Sequence, residues 1–396
     1  MNDLMQKAPT RRVIVFKSEL LNDSEVFIRE QVRSYSRWKA TLAGFHRIGN
    51  VDLSGLELDF WGGGLPPKWA GRVRTLLRDL NMPPPGVVSR LKRWNPSLLH
   101  IHFGTELVSL WPVARSLQVP VLTTLHGVDI NIDDEWWKNG WGRQNHLYPS
   151  RLAAIAQDAR VHFVAVSDAI RQRAIERGIP PQKVFTQYIG VDVSRFTPGG
   201  RPIIERKRRI LYVGRMVEKK GGNVLIQAFA GIRRHLPDAE LVMVGDGPLL
   251  NEFKELARKL DLPVTFPGTL ASAQVREQMD EARVFCLPSI TANNGDAEGF
   301  GLVLLEAQAC GVPAVTSARG GATEGIKHGA TGFSFPERDI QALEAALVRL
   351  LTDDSLATSM ATQARRHVEE NFDIRRCTAS LEDLYDRICC RSGSPQ

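Results

Sequence analysis

The feature that most constrains this chain is a pair of short, unbroken apolar runs, RRILYVGRM and AELVMVGDG, each ending in a glycine turn. A strand with no polar alternation is covered on both faces, and such strands separated by helical patterns belong to parallel sheets. Helices are expected to follow from about Gly222 and Pro248, and VTFPG, RVFCLPS and PAVTSA supply three further strands. The first half has the same alternation, with strands expected over Arg12 to Lys17, Leu98 to Phe103, Val119 to His126, Val161 to Ser167 and Lys183 to Ile189. An amphipathic helix is expected over Ser24 to Tyr35, with Ser24 as its cap. Gly190 to Arg209 has the Gly, Pro and charged composition of a linker, and the tail from Gln341 to Cys390 is helical by pattern. The expected fold is α/β with two Rossmann-like domains, 1–195 and 196–372, and a terminal segment 373–396. A chain of 396 residues is long enough for a core in each. Ligands of open parallel sheets bind beyond the carboxyl ends of the strands, so a cleft between the lobes is the expected site.

Charge separates the two halves. The net charge is +7, but residues 1–200 carry 26 basic and 18 acidic side chains and the remainder 25 and 26, giving +8 and −1. All eight Trp fall in the first half and all five Cys in the second. The cysteines show neither C-x-x-C nor a zinc spacing, which fits reduced thiols in a cytoplasm. The polar start MNDLMQKAPTRR lacks the apolar core of a signal peptide, and no stretch approaches a membrane span. Any membrane contact would be peripheral.

The densest chemical signal is GDAEGFGLVLLEAQACGVP, Gly295 to Pro313. Glu298 and Glu306 are eight apart, and one helix covering both would bring them within about 80° of each other. Glu306 sits in an apolar helical run, where a carboxylate without partners is costly. A ligand with hydroxyls to donate would relieve that cost, as would a core arginine or a path to solvent. Gly299, Phe300 and Gly301 precede the helix, whose amino end suits an oxygen-rich or anionic ligand. In YVGRMVEKKGG, Gly214 and Arg215 end a strand and Lys220 precedes a glycine pair at a helix start, a placement that could neutralise a diphosphate. A solvated basic loop is the alternative.

On these residues the chain resembles the retaining GT-B glycosyltransferases of the large family that includes sucrose synthase and glycogen synthase, and within it the family 4-like exopolysaccharide and lipopolysaccharide type. The motifs are G-R-x4-K-G (Gly214, Arg215, Lys220, Gly221), V-G-D-G-P (Val244 to Pro248) and E-G-F-G-L-V-x2-E (Glu298 to Glu306), with looser agreement at HIHF, HGVD, AVSDAI and IGVDVSRF. The loop after the first strand lacks the Gly-Gly pair of many relatives and resembles their S-E-T-F version. The resemblance implies a nucleotide-diphosphate sugar, UDP- or GDP-linked, held mainly by the second domain. Arg215 and Lys220 would hold the diphosphate and Glu306 the ribose. The amides of Phe300, Gly301, Leu302 and Val303 would hold phosphate and sugar. The catalytic pair would be Glu298 near the sugar 3-hydroxyl and His126 near the 6-hydroxyl, with Leu270 beside the base. The terminal helix would cross back to the first domain. The acceptor would be a saccharide, lipid-linked in many relatives, and the product a cell-surface polysaccharide. A GT-B epimerase or a catalytically silent sugar-nucleotide binder is the alternative.

No D-x-D occurs in the chain. Cations and a helix dipole can stabilise a leaving diphosphate, so no metal and no cofactor is expected. Between Lys68 and Arg93, seven cations, among them Arg72, Arg74 and Arg78, oppose a single acid, Asp79, and are interleaved with Trp and Leu. Such a segment suits an anionic membrane surface or acceptor. Asp129 of HGVD is grouped with these acceptor or membrane candidates. No nucleic-acid motif is present. His100 and His102 share one face of a strand, but no third metal ligand is in sequence reach.

Overall fold

The computed structural model describes residues 11–21, 25–49, 51–61, 78–139, 145–317 and 319–392. They divide into two units. The first takes the described parts of Met1–Val166, Ile170–Ile189 and Ile374–Gln396, and the second takes Ser167–Ala169 and Gly190–Asp373.

In chain order, the strands of the first unit are β1 Arg12–Phe16, β2 Glu19–Leu20, β3 Lys39–Gly44, β4 His46–Arg47, β5 Glu57–Phe60, β6 Leu98–His102, β7 Val121–Leu125, β8 Val161–Ala165 and β9 Val184–Thr186. Seven of them form one parallel sheet in the order β5-β3-β1-β6-β7-β8-β9, and β2 pairs with β4 separately. The second unit contains β10 Arg209–Val213, β11 Glu240–Val244, β12 Val264–Gly268, β13 Val284–Leu287, β14 Ala314–Ser317 and β15 Gly332–Phe335. They form a parallel sheet in the order β12-β11-β10-β13-β14-β15. Both sheets therefore run outward in both directions from a central pair, β1 with β6 and β10 with β13. That is the doubly wound order, with its switch point between the central strands.

The apolar runs fall on the central strands: Val13 to Phe16, Ile210 to Tyr212 and Val284 to Leu287 are all fully buried. Pro267 sits in β12, an edge strand, where a missing N–H costs no ladder bond. The sequence reading did not anticipate β3 or β5. Their segments, KATLAG and ELDF, are short and not uniformly apolar, and β3 owes its place to pairing with both β1 and β5. The first helix is Val26–Arg33; Ser24, its expected cap, lies outside the described residues, as do Arg72 and Arg74 of the cationic segment. From that segment the structure describes a helix over Val87–Lys92. Trp137 is buried and Trp136 exposed, while Trp141 lies outside the described residues. Cys286, Cys310 and Cys377 are buried free thiols. No helix among the described residues is long and apolar enough to cross a membrane.

The terminal helix Ile374–Ser392 belongs to the first unit and is held there by polar groups. The Glu382 side chain is fully buried. Its carboxylate accepts from the backbone N–H groups of Ser36, Arg37 and Trp38 at 3.0, 2.8 and 2.9 Å and from the Ser36 hydroxyl at 2.9 Å. Arg37 Nε lies 3.7 Å away. Tyr385 bonds Tyr35 at 2.7 Å and His100 Nδ1 at 2.5 Å, so the helix reaches the central strand β6. Removing the carboxylate strands several buried donors, an effect of roughly 3–5 kcal/mol. We expect Glu382→Ala to lower the first unit's unfolding free energy by that amount, seen as a lower urea midpoint, and Glu382→Gln to lower it by less. Tryptophan fluorescence reports on this unit, because all eight Trp precede residue 142 and every described one lies in it.

Candidate active site

In the second unit the candidate residues lie at the carboxyl ends of β10 and β13, the switch-point pair. Gly214 and Arg215 leave β10, and the Gly214 N–H donates to the Val244 carbonyl at 3.0 Å; Arg215 is exposed. Lys220 closes a 3-10 turn, Glu218–Lys220, and Gly221 follows with φ +65° before the helix Gly222–His235. A Cβ at residue 221 would overlap the Pro288 carbonyl oxygen, so glycine is what lets this turn approach the end of β13. Here Lys220 Nζ meets Glu298 Oε2 at 2.5 Å, Ser289 Oγ donates to the same oxygen at 3.3 Å, and Lys219 pairs with Asp296 at 2.9 Å. Glu298 is only 9 % exposed. Burial pushes its pKa up, but Lys220 and Lys219 outweigh burial and hold it below the ordinary value. It is an ionised carboxylate beside a cation.

The helix after the glycines covers Leu302–Ala309, with Gly301 at φ +79° as its cap. It begins after Glu298, so Glu306 alone of the two glutamates is helical, and Glu298 is placed by the loop and by Lys220. Gly299, Phe300 and Gly301 are buried, and Leu302 and Val303 half-buried at the amino end. The Phe300 ring packs 5.6 Å from that of Phe372. Burial raises the Glu306 pKa to about 7, with Arg195 pulling weakly the other way. Leu270 is half-buried, two residues beyond Gly268, whose carbonyl accepts from Gly245 N–H at 2.9 Å. Sequence reasoning missed Ser289 and the Lys219–Asp296 pair. The signal for Ser289 was its place just beyond a buried strand at the switch point.

In the first unit the corresponding strand ends, those of β1, β6 and β7, gather Lys17, His102 and His126. His102 Nδ1 and His126 Nε2 are 3.0 Å apart, and Phe27 and Phe103 flank His126 with ring centroids at 5.0 and 4.4 Å. Lys17 Nζ lies 3.4 Å from Glu25 and 3.3 Å from Glu106. Burial lowers the Lys17 pKa, but the two carboxylates outweigh it and the net shift is upward. None of Lys17, Glu25 and Glu106 was singled out from sequence, because Glu106 joins the other two from a distant segment of the chain.

Asp129, placed above among acceptor or membrane residues, is fully buried. Its Oδ1 accepts from His126 and Gly127 N–H at 3.0 Å each, and its Oδ2 from Gly104 N–H at 2.8 Å. It thus ties the His126 turn to the start of the helix Gly104–Leu117. Burial raises its pKa to about 6 against the pull of these amides. His100 is engaged at both nitrogens, by Tyr385 and, at 2.7 Å, Thr124. Among the described residues no three His, Cys, Asp or Glu side chains are grouped to hold a metal.

The histidines give a test of this geometry. Burial lowers the pKa of His100 to about 3; burial, then the charges of His100 and Lys17, lower that of His126 to about 3; His102 is also held well below the ordinary value. Unfolding frees them to bind protons below about pH 6.5, so the stability they contribute is full above that pH and is lost as pH falls toward 3, by up to roughly 1.4 kcal/mol per pH unit for each. Asp129 opposes this, its contribution fading as pH rises through about 6, and offsets about one of the three histidines between about pH 4 and 6. We expect urea midpoints read by tryptophan fluorescence to fall steadily below pH 6.5, less steeply in His100→Asn.

Comparison with known proteins agrees with this architecture in both units. The family Glycosyl transferases group 1 matches residues 196–367, and Glycosyltransferase Family 4 matches residues 57–195. The amylovoran biosynthesis glycosyltransferase AmsK of Erwinia amylovora is 30% identical over 74% of this chain and 70% of its own length. The GDP-mannose-dependent alpha-(1-6)-phosphatidylinositol monomannoside mannosyltransferase of Mycolicibacterium smegmatis is 30% identical over 80% of this chain and 88% of its own. Among solved structures, Anabaena HepE in complex with UDP and glucose superposes with a TM-score of 0.75 at 18% identity, covering 94% of this chain and 99% of that one. Two parallel sheets with the doubly wound order, matched over most of their length by these proteins, have the GT-B architecture, and the chain belongs to the group 1, family 4-like glycosyltransferases.

Proposed function

We propose that the chain is a retaining glycosyltransferase that moves a hexose from a UDP- or GDP-sugar to a saccharide acceptor, lipid-linked, in cell-surface polysaccharide biosynthesis. The observation that carries this reading is the Lys220–Glu298 pair at 2.5 Å, a cation and an ionised carboxylate at a strand-end switch point. The relatives support it in kind: one is named for amylovoran biosynthesis and one for GDP-mannose, and the structural neighbour holds UDP and glucose. The reading places the enzyme in the cytoplasm, at the inner membrane face.

In this mechanism Arg215, Lys220 and the amino end of Leu302–Ala309 take up the charge that develops on the departing diphosphate. No metal or cofactor is used. Lys220 keeps Glu298 ionised, and Glu298 accepts a hydrogen bond from the donor sugar. The anomeric carbon's bond to phosphate oxygen breaks while its bond to the acceptor oxygen forms on the same face. The acceptor's proton passes to the departing phosphate oxygen. His126, neutral at physiological pH, hydrogen-bonds the sugar as donor or acceptor without adding charge. Glu306 receives the ribose hydroxyls and must be ionised to accept both.

Three measurements test this. A thermal-shift series with nucleoside diphosphates should show stabilisation by UDP or GDP, and no response to any would remove the donor assignment. Glu298→Gln should lower kcat by about 10²–10³ with nucleotide affinity retained; turnover within a few-fold of wild type would remove Glu298 from catalysis. Nucleotide affinity should rise with pH through about 7, where Glu306 ionises. In Glu306→Gln it should be flat with pH and about tenfold weaker. The raised pKa means that Glu306's contribution to stability is present below about 4.5 and lost as pH rises through about 7, so the same variant should be the more stable protein at pH 8.

A further inference from the structure

His100 and His102 share one face of β6, and the first has a partner at each nitrogen, Tyr385 and Thr124. His102 is held differently. It is 1 % exposed, and its ring belongs to a stack of three imidazoles. The His100 ring lies 4.6 Å from it and the His126 ring 5.3 Å, at interplanar angles of 29° and 24°. Phe27 meets it edge-on at 6.3 Å. These rings set the plane of His102, and its Nδ1 meets His126 Nε2 at 3.0 Å. Its other nitrogen, Nε2, is buried and has no hydrogen-bond partner among the described residues.

Counting protons decides which nitrogen donates. Both imidazoles are neutral, because burial holds their pKa values well below the ordinary one, and a neutral imidazole carries a single N–H. Were His102 Nδ1 the acceptor, the His102 proton would sit on Nε2, a sealed donor facing no acceptor. Orphaned N–H groups are the rarer and costlier exception in folded proteins. With the proton on Nδ1, only a lone pair goes unmet.

We infer that His102 is a positioning residue: it donates from Nδ1 to His126 Nε2 and so fixes on His126 the tautomer that offers Nδ1–H to the donor sugar. The inference rests on the proposed transferase reading and deepens it. The sugar atom beside His126 is met by a donor, so it must be an acceptor, as a hydroxyl or ether oxygen is. Asp129 holds the backbone of the same residue through the His126 N–H at 3.0 Å. Backbone and ring are thus set by separate partners before a substrate arrives, which is the preorganisation that a hydrogen bond to the reacting sugar needs.

The test uses the full chain, isotopically labelled at the histidine ring nitrogens. Long-range proton–nitrogen correlation spectra distinguish a ring N–H from a bare ring nitrogen, and His126→Gln identifies the His126 signals. With no substrate present, His126 should appear in the Nδ1–H form alone. His102→Ala opens space for water, which donates and accepts alike, and should leave His126 in both forms. His102→Asn, whose amide can donate from the place of Nδ1, should restore the single form. Hydrolysis of UDP-glucose and GDP-mannose without acceptor supplies the second readout. Its kcat should fall about tenfold in His102→Ala, the worth of one hydrogen bond, and recover to within a few-fold in His102→Asn. Nucleoside diphosphate affinity should be unchanged in both variants, which a loosened fold would not allow. An Nε2–H His126 in the wild-type chain, an unchanged tautomer in His102→Ala, or unchanged turnover there would each overturn the inference. The spectra need no substrate, so the expected tautomers in a chain that binds no nucleoside diphosphate would instead overturn the transferase reading alone.

Discussion

The structure depends on a topological constraint, the reversal of winding direction between two adjacent parallel strands. At β10 and β13, and again at β1 and β6, the connections that follow neighbouring strands diverge to opposite sides of the sheet. Strand carboxyl ends are thereby left without a covering helix at one point in each unit. Functional side chains can stand there without displacing core. Arg215, Lys220, Ser289 and Glu298 occupy one such point, and Lys17, His102 and His126 the other.

Three carboxylates near these points, Glu298, Asp129 and Glu306, are held largely out of water. An isolated buried carboxylate is expensive, and the chain meets that cost differently at each position. Glu298 is offset by two lysines and stays ionised. Asp129 is offset by backbone amides, but burial still raises its pKa to about 6. Glu306 has only the field of Arg195 against burial and is poised at about 7. A carboxylate with so little compensation is where the ribose hydroxyls of the proposed donor would complete the structure.

Much of this was legible in the sequence, and the reason is locality. Buried parallel strands read as unbroken apolar runs because both faces are covered, and Gly214, Lys220, Gly221 and the Glu298–Gly301 loop each sit next to such a run or to the helix after it. β3 and β5 were not legible, since their segments acquire strand character from neighbours in the sheet rather than from their own composition. Likewise the helix start at Leu302 separates Glu298 from Glu306, where an eight-residue spacing suggested one shared surface.

By itself the sequence determined the alternation of strands and helices, the two-domain division and the family motifs from Gly214 to Gly221 and from Glu298 to Glu306, because these follow from apolar periodicity and from patterns confined to short stretches. The tertiary structure decided which charges meet. Lys220 with Glu298, Lys17 with Glu106, Asp129 with Gly104, and Glu382 with Ser36 to Trp38 are pairings across tens to hundreds of residues. Coulombic and hydrogen-bond energies depend on distances that no sequence spacing encodes. The basic excess of the first half shows the same division: composition gave its sign, and the fold set Arg78 and Arg151 around a single carboxylate.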